Sequence, residues 1–434
     1  MSFRINKRLS VVGCQFTTFR QRIGSNFAPG RLCVRRAFPR VRQRPLLSSW
    51  PLPIGLGTPP IGVKIRIVPS STLRYAVGMH PLPLHEEQEW SYVLTLLPPD
   101  LEDTALQSQA LRRCRKVPDA AALLRMALAY AVSDLSLKDV AAWAQALGVA
   151  EITGPGLFYR LREAEAWLER VLAQTLQSQV PEEKGQPRRV RIVDATVITG
   201  PGATGTEWRA HVLLDPNSGG FRAVELTDAR GGEEYGRHPL QPGEIILGDR
   251  AYATARGLWA VQAAGGWVVA RLNPHSIRVC DGERKLIRLL DREEQVPSVG
   301  GIEFNIDVPI PPERRSKSHK TWSLDRAQAW VAARAIAGRT RRGEVIWILT
   351  TLPAAQAAPA ELLQLYRLRW QIELFFKRLK SLLHFDTLPS RQGPTARSWM
   401  LSRLLAAALA QKLAQSSGPL SPWGYEVQTE RLHA

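Results

Sequence analysis

Cysteine is scarce in this chain of 434 residues, which has four, at positions 14, 33, 114 and 280. No two of them have the Cys-x-x-Cys spacing of a metal or redox site, and four are too few for a disulfide scaffold. A reducing compartment, the cytoplasm, is therefore expected.

Long apolar runs are also missing. None approaches the roughly 20 residues needed to span a bilayer, and the first 30 residues lack the continuous apolar core of a secretory signal. We therefore expect no membrane partner. The hydrophobic content of 44% still allows substantial cores, and the length allows two or three domains.

Acidic residues are absent from residues 1–78, which carry 14 of the 58 Lys and Arg side chains. The remainder has 44 basic residues against 39 acidic ones, so most of the net charge of +19 lies in this stretch. It is either a disordered basic arm that binds DNA or upstream sequence translated ahead of a true start at Met79. The abrupt change of composition favours the second. A basic surface for a phosphate backbone is still expected in the remainder.

Residues 86–178 have a helical pattern throughout. Ser136 and Asp139 have the spacing of a capping box at a helix start. After a short link, a further helix begins with basic and hydrogen-bonding side chains, Tyr159, Arg160 and Arg162. A helix, a turn and such a second helix form the geometry of a helix-turn-helix DNA-binding unit, although an ordinary helical bundle has the same pattern.

Beyond a polar linker at 181–189 the pattern changes from helical to β. "VRIVDATVI" predicts a buried strand, "EWRAHVLLD" and "FRAVELTD" a hairpin, and "EIILGD" a fourth strand. "ATARGLWAVQAAGG" predicts a helix and "WVVARL" a fifth strand. This order is the one that a ribonuclease-H-like mixed sheet needs. The segment "YRLRWQIELFFKRLKSLL", residues 366–383, predicts one amphipathic helix.

The predicted fold class is α/β: a ribonuclease-H-like mixed sheet with helices and an inserted β subdomain, preceded by an all-helical DNA-binding domain. The predicted boundaries are 1–78 for the basic extension, 79–180 for the helical domain, 181–275 and 354–390 for the catalytic core, 276–353 for the inserted β subdomain, and 391–434 for a C-terminal helical segment.

Two of the predicted strands end in a carboxylate, Asp194 and Asp249. A carboxylate beside buried strand residues is costly unless it is paired, hydrogen-bonded or bound to a metal. A single Asp could simply cap the end of its strand. In the predicted order, however, the two strands are parallel neighbours about 4.8 Å apart, so both carboxylates could share a cation. Asp228, two strands away, and Asp215, in the hairpin turn, are weaker candidates.

A third carboxylate, Glu373, lies on the polar stripe of the 366–383 helix among Arg and Lys side chains. Ion pairs between residues four apart on a solvated helix face could explain the stripe alone. Three carboxylates from separate elements instead suit two divalent cations, about 3.5–4 Å apart, that serve phosphoryl transfer. Mg²⁺ is the expected ion, with Mn²⁺ as its substitute, and the nearby cations would bind a DNA backbone.

The spacing Tyr366-x2-Arg369-x3-Glu373-x6-Lys380 resembles the Tyr-Arg-Glu-Lys signature of DDE transposases of the bacterial insertion-sequence-four family. The contexts "VDAT" and "GDRAY" resemble those of the family's first and second catalytic aspartates. The resemblance covers about residues 110–415.

The resemblance implies a ribonuclease-H-like catalytic domain with a β insertion and an N-terminal domain that helps to recognise inverted repeats. It assigns the catalytic metals to three carboxylates, Asp194, Asp249 and Glu373. It assigns the terminal phosphates of the transposon end to Tyr366, Arg369 and Lys380. Well-studied members use a Trp of the insertion near a flipped base, and Trp347 lies one residue from that position.

We therefore predict an insertion-sequence transposase that binds inverted-repeat ends, cuts DNA with a metal cofactor and joins the freed 3′-hydroxyl to target DNA. The implied partners are double-stranded DNA and a second copy of the chain in a synaptic homodimer, in the bacterial cytoplasm at the nucleoid. Two alternatives stay open: a ribonuclease-H-like DNA nuclease without strand transfer, and an inactive DNA-binding remnant of an element.

Overall fold

The computed structural model describes residues 85–112, 114–133, 135–178, 189–312, 322–340, 342–390 and 393–416. All of them belong to one of the two compact units of the chain, His80–Ala434. The predictions for residues 1–78, for a start at Met79 and for nearly all of the linker lie outside the described residues. None of the described helices is long and apolar enough to cross a membrane.

The predicted helical region contains the helices α1 (His85–Thr95), α2 (Leu101–Gln107), α3 (Ala120–Val132), α4 (Leu137–Ala146), α5 (Gly154–Glu163) and α6 (Glu165–Gln177). The capping box at α4 is confirmed: the Ser136 hydroxyl accepts a hydrogen bond from the Asp139 amide, and Asp139 accepts one from the Ser136 amide. At α5 the Thr153 hydroxyl caps the helix by accepting a hydrogen bond from the amide of Gly156. Both helices of the predicted helix-turn-helix therefore begin at capped ends.

The strands of the described residues form one ten-stranded mixed sheet in the order β3-β2-β1-β4-β5-β10-β9-β8-β6-β7. The first five strands are β1 (Arg189–Ile198), β2 (Trp208–Asp215), β3 (Gly220–Asp228), β4 (Glu244–Gly248) and β5 (Trp267–Arg271), with helix α7 (Ala255–Ala263) between the last two. The strands β1, β2 and β3 are joined as antiparallel neighbours, whereas β4 is parallel to both β1 and β5. The strand order predicted from the sequence is confirmed.

The segment predicted as an inserted β subdomain contains β6 (Val279–Cys280), β7 (Leu286–Ile287), β8 (Gly301–Ile310), β9 (Ala329–Arg339) and β10 (Val345–Thr350). The strands are present, but they do not form a sheet of their own, because β10 pairs with β5 and continues the first sheet. A free edge at β5 would leave its backbone hydrogen-bonding groups unpaired, and β10 satisfies them.

The single helix predicted for residues 366–383 is wrong, because the segment contains parts of two helices, α8 (Pro359–Arg367) and α9 (Trp370–Leu383). Between them the amides of Leu368 and Arg369 bond to carbonyls three residues back rather than four, which tightens the chain into a 3-10 turn. The turn places Tyr366 and Glu373 on different helices.

Two hydrophobic cores cover the two faces of the sheet. Alternate residues of β1 point to opposite faces, so that Ile192 lies in one core and Val193 in the other. The first, here the helix-side core, joins the sheet to α3–α6 and α8–α10. The second, the α7-side core, contains Leu258 of α7 with Tyr235 and Tyr252.

Helix α10 (Gly393–Ser416) is buried within the helical region. It packs against α3, α5 and α6, and the Ser398 hydroxyl donates a hydrogen bond of 2.5 Å to the carbonyl of Leu161 on α5. The Arg403 guanidinium donates to the carbonyl of Ala131 at the end of α3. The predicted helical domain and the C-terminal helical segment therefore share one core.

Candidate active site at the ends of strands β1 and β4

The first two predicted carboxylates lie side by side in the sheet. Strands β1 and β4 pair in parallel as far as Ile192 and Leu247, and Asp194 and Asp249 each lie two residues further on. Asp249 follows the last residue of β4, as predicted. Asp194 does not end its strand, because β1 continues to Ile198 by pairing with β2 after β4 has stopped.

Asp194 is a largely buried carboxylate. One oxygen, Oδ1, accepts a hydrogen bond of 2.8 Å from the amide of Ala195, and the other lies 3.6 Å from Nη1 of Arg369. Burial raises the pKa of Asp194 to about 7, and the charges of Asp249 and Glu233 add to the rise against the opposing effects of Ala195 and Arg369. The negative charge at this position is therefore undercompensated, and a further cation would stabilise it.

Glu373 reaches the same site from the first turn of α9. Its carboxylate accepts a hydrogen bond from the guanidinium of Arg369, the residue that also pairs with Asp194. The structure therefore brings the first and third predicted carboxylates to one guanidinium. Within the described ranges, no three His, Cys, Asp or Glu side chains are gathered closely enough to hold a metal ion.

The other two signature residues flank this guanidinium. Tyr366 lies on α8 against the helix-side core, and burial raises the pKa of its hydroxyl, opposed by the charges of Arg369 and Arg271. Lys380 is half-buried on the last turn of α9, about 10 Å along the helix from Glu373. Tyr366 and Lys380 thus lie on the two helices that meet at Arg369.

Glu233, in the loop between β3 and β4, is a further acid that the sequence reasoning missed. It pairs with Arg209 at 3.4 Å. Burial raises the pKa of Glu233, with a contribution from Asp249, and Glu233 in turn contributes to the raised pKa of Asp194. The sequence "GGEEYG" distinguishes Glu233 from Glu234 by no pattern, since only the path of the loop brings one of them to the site.

The two aspartates that were predicted as weaker candidates lie away from the site. Asp228 is exposed at the end of β3, two strands from β1. Asp215 is buried and pairs with Arg191 at 3.4 Å and with Arg222 at 2.5 Å. Asp215 is therefore neutralised within the protein.

Trp347 belongs to the α7-side core, the face of the sheet opposite the one to which Asp194 points. Its ring packs beside Phe304, and its Nε1 donates a hydrogen bond of 3.2 Å to Glu293. The side chain is 3% exposed, so its ring has no free face for a nucleotide base.

The predicted DNA-facing residues of α5 are at the surface. Tyr159 is 54% exposed, and the Arg162 guanidinium lies 5.1 Å from the centre of its ring. Next to the turn, a Cβ atom on Gly154 would lie 3.1 Å from the backbone of Lys138, so that α4 and α5 approach closely at their starts.

Comparison with known proteins identifies relatives over most of the chain. The family described as "Transposase DDE domain" matches residues 185–409. The transposase of insertion sequence element IS421 from Escherichia coli is 34% identical over 364 residues, and 78% of this chain and 97% of the relative are covered. The InsL protein of insertion sequence element IS186A from Escherichia coli (strain K12) is 34% identical over 363 residues with the same coverage.

Among solved structures, the piggyBac transposase synaptic complex with hairpin DNA matches with a TM-score of 0.41 and 9% sequence identity. The match covers 79% of this chain and 75% of that chain. A score of this size does not establish a shared fold.

Proposed function

The chain belongs to the DDE transposase family and is an insertion-sequence transposase, an enzyme that cleaves DNA, and on this premise we propose that the site at the ends of β1 and β4 performs the cleavage. The observation that carries the proposal is the undercompensated charge of Asp194 beside Asp249, with Glu373 brought to the same point by Arg369. These are the three residues that the family resemblance assigns to catalysis.

The strand arrangement supports a ribonuclease-H-like catalytic core. In the order β3-β2-β1-β4-β5, with β4 and β5 parallel to β1, Asp194 and Asp249 belong to adjacent central strands, as the proposed catalytic role requires. Helix α9 then supplies the third carboxylate from the helix-side face.

The donor set fits divalent cations of the Mg²⁺ type. Carboxylate oxygens are the ligands that Mg²⁺ prefers. At this site burial and the charge of Asp249 raise the pKa of both Asp194 and Glu233. We assign the metal to Asp194, Asp249 and Glu373, with Mn²⁺ as a substitute. When bound, the ions would activate the attacking water or hydroxyl and stabilise the leaving oxygen.

The cationic side chains bind and orient the DNA backbone. Arg369 is already placed beside the carboxylates, where its planar guanidinium can form two parallel hydrogen bonds to a phosphate. Lys380 and the Tyr366 hydroxyl extend this contact along the helices. Further from the site, Tyr159 and Arg162 on α5 would contact the inverted repeat. We expect two copies of the chain, one at each element end, in the bacterial cytoplasm.

The test incubates the full chain with a labelled inverted-repeat end, target DNA and either Mg²⁺ or no divalent ion. We expect cleaved and joined products only with the ion. Glu373→Gln should bind the end but leave it uncut, whereas the control Asp228→Asn, at an exposed acid two strands away, should cut normally.

The outcomes separate the alternatives. Cleavage without joined products would identify a nuclease, and binding without cleavage by the parent chain would identify an inactive remnant. Normal cleavage by Glu373→Gln would contradict the assignment of the third carboxylate.

A further inference from the structure

Arg369 contacts two of the three proposed catalytic carboxylates at once. Its Nη1 lies 3.6 Å from Oδ2 of Asp194 on β1, and its Nη2 donates a hydrogen bond to Oε1 of Glu373 on α9. The Arg369 side chain is 19% exposed and that of Asp194 is 17% exposed, so solvent ions screen this pair only weakly. A cation of the protein itself therefore joins the two carboxylates.

Arg369 lies at the junction of α8 and α9. Its amide bonds to the carbonyl of Tyr366 at 3.1 Å, and its carbonyl accepts a bond of 3.2 Å from the amide of Ile372. Both bonds span three residues rather than four, and 3-10 stretches within a helical run often coincide with hinges. Asp194 is held in the sheet and Glu373 in the first turn of α9. The Arg369 side chain thus links the sheet to the helix at a point where the backbone changes its winding.

A metal ion at these carboxylates would compete with the guanidinium. Oδ1 of Asp194 accepts a hydrogen bond of 2.8 Å from the amide of Ala195, which leaves Oδ2, the oxygen that faces Arg369, as the freer ligand. A Mg²⁺ ion bonds to a carboxylate oxygen at about 2.1 Å. Bound to Oδ2, the ion would lie close to the guanidinium and be repelled by it. Tight metal binding therefore requires the guanidinium to move.

A DNA phosphate can supply the reason to move. The two terminal nitrogens that face the carboxylates, Nη1 and Nη2, can also form two parallel hydrogen bonds to phosphate oxygens. A phosphate that bound these nitrogens would withdraw the positive charge from Asp194 and Glu373. The carboxylates would then carry two uncompensated charges, which favours the binding of a divalent ion.

We propose that Arg369 couples DNA binding to metal binding: it neutralises Asp194 and Glu373 until a backbone phosphate draws the guanidinium away and leaves both carboxylates to the metal. The inference rests on the proposed function of these two residues as metal ligands. By linkage, each binding event strengthens the other by the same factor. The coupling accounts for two assigned ligands that contact a guanidinium, while no three acidic, His or Cys side chains of the described ranges gather around one point.

The test measures Mn²⁺ affinity by electron paramagnetic resonance of the free ion. The parent and Arg369→Gln are each measured without DNA and with a saturating inverted-repeat duplex. We expect the duplex to raise the affinity of the parent about tenfold or more, within the range of roughly 5- to 150-fold that is typical of coupled sites. Without DNA, Arg369→Gln should bind Mn²⁺ about tenfold more tightly than the parent, and the duplex should add much less.

Two further variants separate coupling from a simple effect of charge. Lys377→Gln removes an exposed positive charge four residues after Glu373 on the same helix, and the effect of the duplex should stay as in the parent. Arg369→Lys keeps a positive charge beside the buried Asp194 but loses the planar fork, so it serves if Arg369→Gln fails to fold. It should change the affinity without DNA and the effect of the duplex in the same direction as Arg369→Gln.

The ratio of the affinities with and without the duplex decides the outcome. If Arg369→Gln raises the Mn²⁺ affinity equally in both states, the ratio is unchanged, only charge is involved and the coupling role is wrong. An affinity without DNA that is no higher than that of the parent overturns the role as well. A parent that binds no Mn²⁺ in either state refutes the proposed metal site itself, whereas a parent that binds Mn²⁺ equally well in both states contradicts the coupling alone.

Discussion

Replacing Asp194 with Asn should stabilise the metal-free protein while it abolishes cleavage. The folded structure raises the pKa of this carboxyl from 3.8 to about 7, chiefly through burial. Below the lower of these two pKa values the Asp194 carboxyl is protonated in both the folded and the unfolded chain. It then does not reduce the free energy of unfolding. As the pH rises towards about 7, the folded state loses stability, because the unfolded chain ionises more easily.

The size of the effect follows from the width of this interval. About three pKa units, at roughly 1.4 kcal/mol each, set a ceiling of about 4 kcal/mol on the loss of stability above about pH 7. An Asn at position 194 carries no charge and avoids this loss. The difference in unfolding free energy between Asp194→Asn and the parent should therefore grow steadily from about pH 4 to about pH 7.

The assay is urea denaturation of both chains across this pH range in the presence of a chelator. The control Asp228→Asn alters an exposed acid outside the site, and added Mn²⁺ should stabilise it as it does the parent. Added Mn²⁺ should stabilise the parent and leave Asp194→Asn unchanged, since metal binding stabilises only the chain that has the ligand. Parallel pH curves for Asp194→Asn and the parent would refute the reasoning.

Three further changes test the surrounding structure by urea denaturation. Arg191→Leu should cost about 3–5 kcal/mol, because it leaves the buried Glu244 without its partner at 3.1 Å, and Arg191→Leu with Glu244→Leu should recover most of the loss. Gly248→Ala should cost about 1–3 kcal/mol through the clash with the Tyr235 hydroxyl, and Tyr235→Phe should relieve part of it. A chain that ends before Gly393 should lose the cooperative unfolding of its helical region, since α10 buries six large apolar side chains worth roughly 2 kcal/mol each.

The order of the central strands could be predicted because it depends on short stretches of the sequence and on the segments that connect them. Each of the first five strands has its own apolar pattern, and the hairpin residues and the α7 segment between them leave few ways to arrange a mixed sheet. The parallel pairing of β1 with β4, and hence the adjacency of Asp194 and Asp249, followed from that order and is confirmed. The family assignment from the signature spacing is confirmed as well.

The features that the sequence could not predict depend on contacts between distant segments. The pairing of β10 with β5 joins strands that no turn connects, so no local pattern distinguishes it from a separate subdomain. The 3-10 turn at Leu368 and Arg369 divides the structure into two helices, although the amphipathic pattern of the sequence continues through it. Glu233 comes to the site through the path of a loop, which composition alone does not determine. The roles of the signature residues in catalysis stay predictions.

The position of α10 within the helical region has a consequence for synthesis. While the chain emerges from a ribosome, α3, α5 and α6 must wait with exposed apolar faces for a helix encoded far downstream. A prematurely terminated product should therefore lack a folded helical region, the part that we propose contacts the inverted repeat, and we expect it not to compete with the complete enzyme for the ends. Only a nearly finished polypeptide would become able to bind, close to the messenger and the gene from which it came.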